Sequence, residues 1–172
     1  ELSFILLDWS VRESFHMLKY LSEQTVSRDR YEIIWVEYYS RQLAQVLPPA
    51  VDKLIVLEMP EDTYYHKHLM YNTGLIAAQG AIIVICDSDV MVKPTFVQSI
   101  VEEFQKNSHI VLHLDEVRNK NKQFYPFNYP SFKELLGKGC INWRNGKTAG
   151  LRARWDTLHT RNYGACFCAL RE

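Results

Sequence analysis

A chain of 172 residues is an ordinary single-domain length, able to bury about 70% of its unfolded surface without disulfides or a structural metal. Hydrophobic residues make up 47% and charged residues 23%, a globular composition that excludes a disordered chain. Twenty Lys and Arg balance twenty Asp and Glu, which argues against a general nucleic-acid binder, so no nucleic-acid partner is expected.

Short apolar runs alternate with amphipathic segments through the first two thirds of the sequence, as βαβ units on a largely parallel sheet require. Residues 2–7 form the first predicted strand. Ser10 and Glu13 then stand at capping-box spacing, and Val11, Phe15 and Leu18 share one helical face. Residues 31–36 are a second strand. Residues 41–46 are a short helix stopped by Pro48 and Pro49. Residues 53–57 are a third strand, and 63–79 a helix with Gly80 just past its end. Residues 81–86 are the most apolar strand and run straight into Asp87-Ser88-Asp89. Pro94 opens the next helix, with Val97, Ile100, Val101 and Phe104 as its buried stripe. Residues 109–114 are a fifth strand.

Beyond this the pattern loosens. Residues 116–163 read as a long irregular segment, with one short helix over 131–136, and such a segment in a compact domain is usually a functional loop or lid. Its aromatic residues Phe124, Tyr125, Phe127, Tyr129, Phe132, Trp143 and Trp155 suit either packing or a platform on which a pyranose face stacks. Residues 165–170 are a last strand. The expected architecture is a three-layer α/β/α sandwich on a mostly parallel sheet.

Cys86, Cys140, Cys166 and Cys168 form no C-x-x-C pair and no zinc spacing, and Cys86 and Cys166 lie in apolar strands. Buried reduced thiols and a cytoplasmic location are expected. There is no N-x-[ST] sequon, no signal peptide and no apolar run near the ~18 residues of a membrane span. Any membrane association would come from segments outside these residues, and both ends read as cut from a longer protein. His66 and His68 point to different faces of a helix. His109 and His113 share a strand face without a third ligand, so no histidine metal site is expected.

Three predicted strands finish in an acid: Asp8, Glu37 and Asp87. Ligands of open α/β sheets bind at the carboxyl ends of strands. Carboxylates gathered there are best satisfied by a cation or by ligand hydroxyls and N–H groups, although helix N-capping explains any one of them. Asp87 and Asp89 lie on a turn after an apolar strand, where hard cations such as Mn²⁺ or Mg²⁺ take carboxylate and phosphate oxygens. A metal so held neutralises a diphosphate leaving group. No G-x-G-x-x-G fingerprint and no Walker A loop follows any strand, which leaves phosphates to be met by metal.

The stretch from His66 to Ala78, HKHLMYNTGLIAA, resembles the family 2 glycosyltransferase helix GKSAARNRGLEAA, with Lys67, Asn72 and Gly74 matching. The following GAIIVICDSD resembles that family's GEYIAFLDAD, and YGACFCALRE near the end resembles its acceptor-side strand. The resemblance implies a GT-A, nucleotide-diphospho-sugar transferase fold, with residues 1–115 as the nucleotide-sugar-binding half and 116–172 as a partial acceptor side. It implies a metal-dependent, inverting transfer from a nucleotide-diphosphate sugar, UDP-linked, to a saccharide or other hydroxyl acceptor. By the same resemblance Asp8 and Glu37 contact the nucleobase, Lys67 approaches the phosphates, Asp87 meets the ribose or the metal, and Asp89 coordinates the metal. The sequence departs from the family at Glu37-Tyr38, at Tyr71 before Asn72, and at Leu7-Asp8-Trp9-Ser10. No catalytic base is assigned, because the family's acid falls beyond Glu172. Two alternatives stay open: an inactive nucleotide- or glycan-binding module, and a nucleotidyltransferase, although residues 8–14 lack the glycine that class needs.

Overall fold

A computed structural model of the chain describes residues 1–8, 16–39, 51–88, 90–114, 117–119, 134, 140–142, 151–153 and 166–171. In chain order the elements are β1 (Leu2–Asp8), α1 (His16–Leu21), β2 (Tyr31–Glu37), β3 (Lys53–Val56), α2 (Lys67–Ala77), β4 (Ile82–Asp87) and α3 (Phe96–Lys106). Then come β5 (Leu112–Leu114), β6 (Val117–Asn119), β7 (Cys140–Asn142), β8 (Leu151–Ala153) and β9 (Cys166–Leu170). One seven-stranded sheet has the order β3-β2-β1-β4-β9-β5-β8, and β6 and β7 pair separately.

Strands β3, β2, β1 and β4 are mutually parallel. Strand β9 lies antiparallel between β4 and β5, which turns β5 back into the common direction. So β1 to β5 all point one way, and β8 and β9 run against them. This is the expected mostly parallel sheet, with two opposed strands in its second half.

Side chains alternate across the sheet, and each face carries its own core. On one face Phe4, Leu6, Trp35, Val84, Cys86, Cys166 and Cys168 pack with Met17 and Leu18 of α1 and with Val97, Ile100, Val101 and Phe104 of α3. On the other, Ile5, Leu7, Ile34, Val36 and Ile83 pack with Met70 of α2. Helices on both faces make the three layers. All four residues of the expected α3 stripe are buried, and Phe96 joins them. Gln24 fastens the start of α3: its side-chain amide donates to the carbonyl of Lys93 at 2.9 Å and its Oε1 accepts from Val97 N–H at 2.9 Å.

Two glycines set how closely the layers approach. A Cβ on Gly74 of α2 would stand 2.4 Å from Ile5 Cγ2, and one on Gly80 would stand 2.5 Å from the Leu2 carbonyl carbon. Gly80 N–H instead donates to the buried Ser3 hydroxyl at 2.7 Å.

The structure revises some boundaries. Helix α2 begins at Lys67, where the sequence pattern starts it at 63, and β5 spans three residues of the six expected. The segment read as irregular contains β6, β7 and β8. The short helix over 41–46, the capping box at Ser10 and Glu13, the aromatic residues of 124–132, Trp143 and Trp155, and all but Glu134 of the helix over 131–136 lie outside the described residues.

Candidate functional site at the carboxyl edge of the sheet

The register brings the strand-end acids into one row. Asp8 is directly opposite Glu37, and Leu7 is opposite Asp87. Neighbouring strands are about 4.8 Å apart, so the ends of β2, β1 and β4 form one continuous edge. Alternation then divides the acids. Asp8 and Glu37 fall on the face of Phe4, Leu6 and Trp35, while Asp87, one residue after Cys86, falls on the face covered by α2.

Their environments differ accordingly. Asp8 is 4% exposed and Glu37 has no exposed surface. The Glu37 carboxyl accepts the indole N–H of Trp35 at 2.8 Å, so a buried acceptor is met by a fixed donor from the same strand face. Backbone bonds tie the edge together: Tyr38 N–H donates to the Asp8 carbonyl at 3.0 Å, and Leu57 N–H to the Glu37 carbonyl at 2.9 Å. Glu58 next to it takes a positive φ of 52°, a left-handed turn that ends β3 at this edge.

Asp87 is the accessible acid, its side chain 40% exposed. Its Oδ1 accepts from Lys67 Nζ at 3.1 Å. The Lys67 nitrogen also stands 5.3 Å from the ring centre of Tyr71, one helical turn on. Burial alone would lower the Lys67 ammonium. The neighbouring Tyr71 hydroxyl and the Asp87 charge outweigh it and hold the ammonium above its ordinary value. Burial pushes the phenol of Tyr65 up to about 12, against a pull downward from Lys67.

The approach to α2 is pinned to the end of β2. The Tyr38 hydroxyl donates to the Tyr64 carbonyl at 2.9 Å, and the Tyr39 hydroxyl to the Thr63 carbonyl at 2.8 Å. On the other side, Met17 N–H at the start of α1 donates to the Ser88 carbonyl at 3.0 Å, which fixes the turn after β4.

Of the residues expected in the site, Asp8, Glu37, Lys67 and Asp87 share this edge, and Lys67 and Asp87 touch. Asp89 lies outside the described residues. Among the described residues no three His, Cys, Asp or Glu side chains gather as a metal site, which includes His66, His68, His109 and His113. Cys86, Cys166 and Cys168 are free and buried, and burial pushes all three thiols up. No described helix is long and apolar enough to cross a membrane. Sequence reasoning missed Trp35 and Tyr71 as partners. The i, i+2 spacing of Trp35 and Glu37 in a strand and the i, i+4 spacing of Lys67 and Tyr71 in a helix carry that signal.

A surface hollow of about 1100 Å³ lies at the opposite, amino edge, lined by Leu2, Arg28, Glu32, Asp52 and Gly80 among others. Several of its charges already pair within the protein, Arg28 with Asp52 and Glu32 with Lys53, so volume does not mark the chemistry here. The carboxyl edge does, because its acids lie where strand ends meet solvent and ligand.

The family model for glycosyl transferase family 2 matches residues 12–172. Among solved structures, TarS 1–349 of S. aureus is 17% identical with a TM-score of 0.56, covering 70% of this chain and 36% of that one. The same protein in complex with UDP-GlcNAc gives a TM-score of 0.53 at 17% identity, covering 70% of this chain and 35% of that one. The mannosyltransferase PcManGT of Pyrobaculum calidifontis, in complex with GDP-Man and Mn²⁺, is 21% identical with a TM-score of 0.47, covering 64% and 34%. The chain thus spans about a third of the length of these structures. No curated protein sequence matches it. The α/β architecture matches that of the GT-A glycosyltransferases, and the chain belongs to glycosyl transferase family 2.

Proposed function

We propose that the carboxyl edge of β1, β2 and β4 is the donor site of a metal-dependent, inverting glycosyltransferase that uses a nucleotide-diphosphate sugar, UDP-linked. The observation that carries this reading is the row of strand-end acids with Lys67 set against Asp87. Residues 1–115 supply the donor half, and 116–172 belong to the side of the saccharide or other hydroxyl acceptor.

Each residue has a task its surroundings suit. Glu37 and Asp8, buried side by side, are placed to receive nucleobase or ribose donors. Asp87, exposed at the end of β4, faces the diphosphate. The donor set suits a hard cation: Asp87 and, two residues on in the sequence, Asp89 are carboxylates. Mn²⁺ or Mg²⁺ bound by one or two carboxylates is completed by substrate phosphates. When bound, it neutralises charge developing on the diphosphate leaving group. Lys67 adds a protein cation to the same corner.

Calorimetric titration of UDP, with Mn²⁺ and again with EDTA, tests this. Binding strengthened by Mn²⁺ is expected, with the strengthening lost in Asp89→Ala. Unchanged UDP affinity of Asp89→Ala in Mn²⁺ would sink the metal assignment. A second reading, a binding module without turnover, is favoured by the closed position of Glu37, whose carboxylate is already engaged by Trp35. Turnover of a UDP-sugar by the protein removes it.

A further inference from the structure

We infer that Cys86 and Cys166 are a redox modification site, which a low-molecular-weight disulfide converts into a protein disulfide stapling β4 to β9. The inference does not depend on the donor-site reading above, and neither thiol has a task in it.

The first observation is position. Cys86 and Cys166 are direct partners in the antiparallel register of β4 and β9, and their sulfurs stand 2.6 Å apart. That is closer than two unbonded sulfur atoms ordinarily pack. Directly opposed residues of antiparallel strands have Cα atoms about 4.5 or 5.5 Å apart, inside the span of about 4.4–6.8 Å that a disulfide bridges. Forming the bond therefore takes a small side-chain adjustment, and neither strand has to move.

The second observation is selectivity. Cys168 lies in the same core and stands opposite Val84. It is diagonal to Cys86, and diagonal partners are about 7–8 Å apart, too far for a disulfide without backbone movement. Cys166 and Cys168 follow one another on one face of β9, about 6.8 Å apart with parallel Cα–Cβ bonds, which also suits a disulfide poorly. Of the three thiols only one pair fits. Cys140 lies on β7, in the separate two-stranded sheet.

Burial decides when the pair reacts. Cys86 is 1% exposed and Cys166 has no exposed surface. Apolar surroundings favour the neutral thiol, and the thiolate is the attacking species. With β9 in place the reaction is slow. Strand β9 is registered with β4 over Cys166–Leu170 and with β5 over Phe167 and Cys168 alone, so a local opening of this strand admits the oxidant.

The Cys166 thiolate attacks one sulfur of the oxidant, breaks its S–S bond and releases one small thiolate. The Cys86 thiolate then attacks the Cys166 sulfur and releases the second. Two protein thiols are oxidised to one disulfide, the oxidant is reduced to two small thiols, and the two protons lost by the cysteines end on them. The bond joins positions 80 apart in the sequence, so it restricts the unfolded chain strongly. Alternation puts Cys86 and Asp87 on opposite faces of β4, so the staple lies across the sheet from the Asp87 carboxylate.

The probe is oxidised glutathione, applied in two arms: to the protein in urea just below its unfolding midpoint, and during refolding from full denaturation, where burial protects no thiol. After alkylation, peptide mass mapping of wild type is expected to show one linked pair, Cys86 to Cys166, with Cys140 and Cys168 alkylated. The linked protein should unfold at a higher urea midpoint than the reduced one, its folding equilibrium favoured about 30- to 1000-fold, and reductant should remove the gain. Cys168→Ala and Cys140→Ser should keep the link and the gain, and Cys86→Ala should lose both. Mapping on wild type carries the assignment even where a variant fails to fold. Four alkylated cysteines in both arms, a lasting glutathione adduct without the link, or a link through Cys140 or Cys168 would each overturn the inference. So would a linked protein that unfolds at lower urea than the reduced one.

Discussion

Glu37 holds a carboxyl group with no exposed surface, and the Trp35 indole N–H at 2.8 Å satisfies one of its oxygens there. Trp35→Phe removes that donor while keeping an aromatic ring. It should destabilise the protein by about 1–3 kcal/mol, the cost of weakening the satisfaction of a buried acceptor, read as a lower urea midpoint at unchanged slope. Glu37→Gln separates stability from binding. Its amide carbonyl can still accept the indole N–H, so the unfolding midpoint should fall less than in Trp35→Phe. Its lost carboxyl oxygen should weaken UDP by about tenfold if the nucleobase or ribose donates to this oxygen. A Glu37→Gln protein with full UDP affinity would leave Glu37 a structural acid. The sequence displays the acid, since an apolar run ending in a carboxylate is plain. Its burial depends on the register with Asp8, which one strand read alone does not contain.

At the scale of elements, α2 carries the site and Gly74 sets its distance from the sheet. Ala at 74 would place Cβ 2.4 Å from Ile5 Cγ2. Something must then shift, and the movable body is the helix, because β1 is paired on both sides. Overpacking of this kind costs about 1–3 kcal/mol. Gly74→Ala should therefore lower the unfolding midpoint. It should weaken UDP as well, because Lys67 and Tyr71 ride outward with α2. A destabilised Gly74→Ala that keeps full UDP affinity would mean that the helix position does not matter to the site. The strands of the first half were legible because each is an apolar run bounded by turn residues. The start of α2 was not, because Thr63 and Tyr64 are tied by their carbonyls to the hydroxyls of Tyr39 and Tyr38 on another element. Strands β6, β7 and β8 escaped for a different reason. Three residues show no period, and their partners lie far away in the sequence. The place of β9 beside β4 is likewise a long-range fact, although its apolar run marked it as a strand.

Across the whole molecule stability depends on pH through an acid limb and an alkaline limb. At the amino edge burial would raise the Glu32 carboxyl, but hydrogen bonds from Lys53 and Ser3 outweigh it and hold it below its ordinary value of 4.5. A lowered folded value contributes stability at neutral pH that is lost as pH falls through the carboxylate range. The alkaline limb belongs to the phenols. Burial raises Tyr31, Tyr65 and Tyr71, with Tyr65 reaching about 12 against an ordinary 10.0. In the unfolded chain these phenols ionise near 10, so between about 10 and 12 the unfolded state holds fewer protons than the folded one. Stability from this source is full below pH 10 and is lost as pH rises through the folded value. Tyr65 lies beside Lys67 and Asp87, so the carboxyl edge takes part in the alkaline loss. Urea unfolding between pH 8 and about 11.5 should show midpoints that hold level and then fall above pH 10. Tyr65→Phe should fall less steeply over the same range, because it removes a phenol held near 12 while keeping its ring. Equal slopes in the two proteins would place the alkaline loss elsewhere, on the lysines or on Tyr31, and would separate Tyr65 from the charge balance of the donor site.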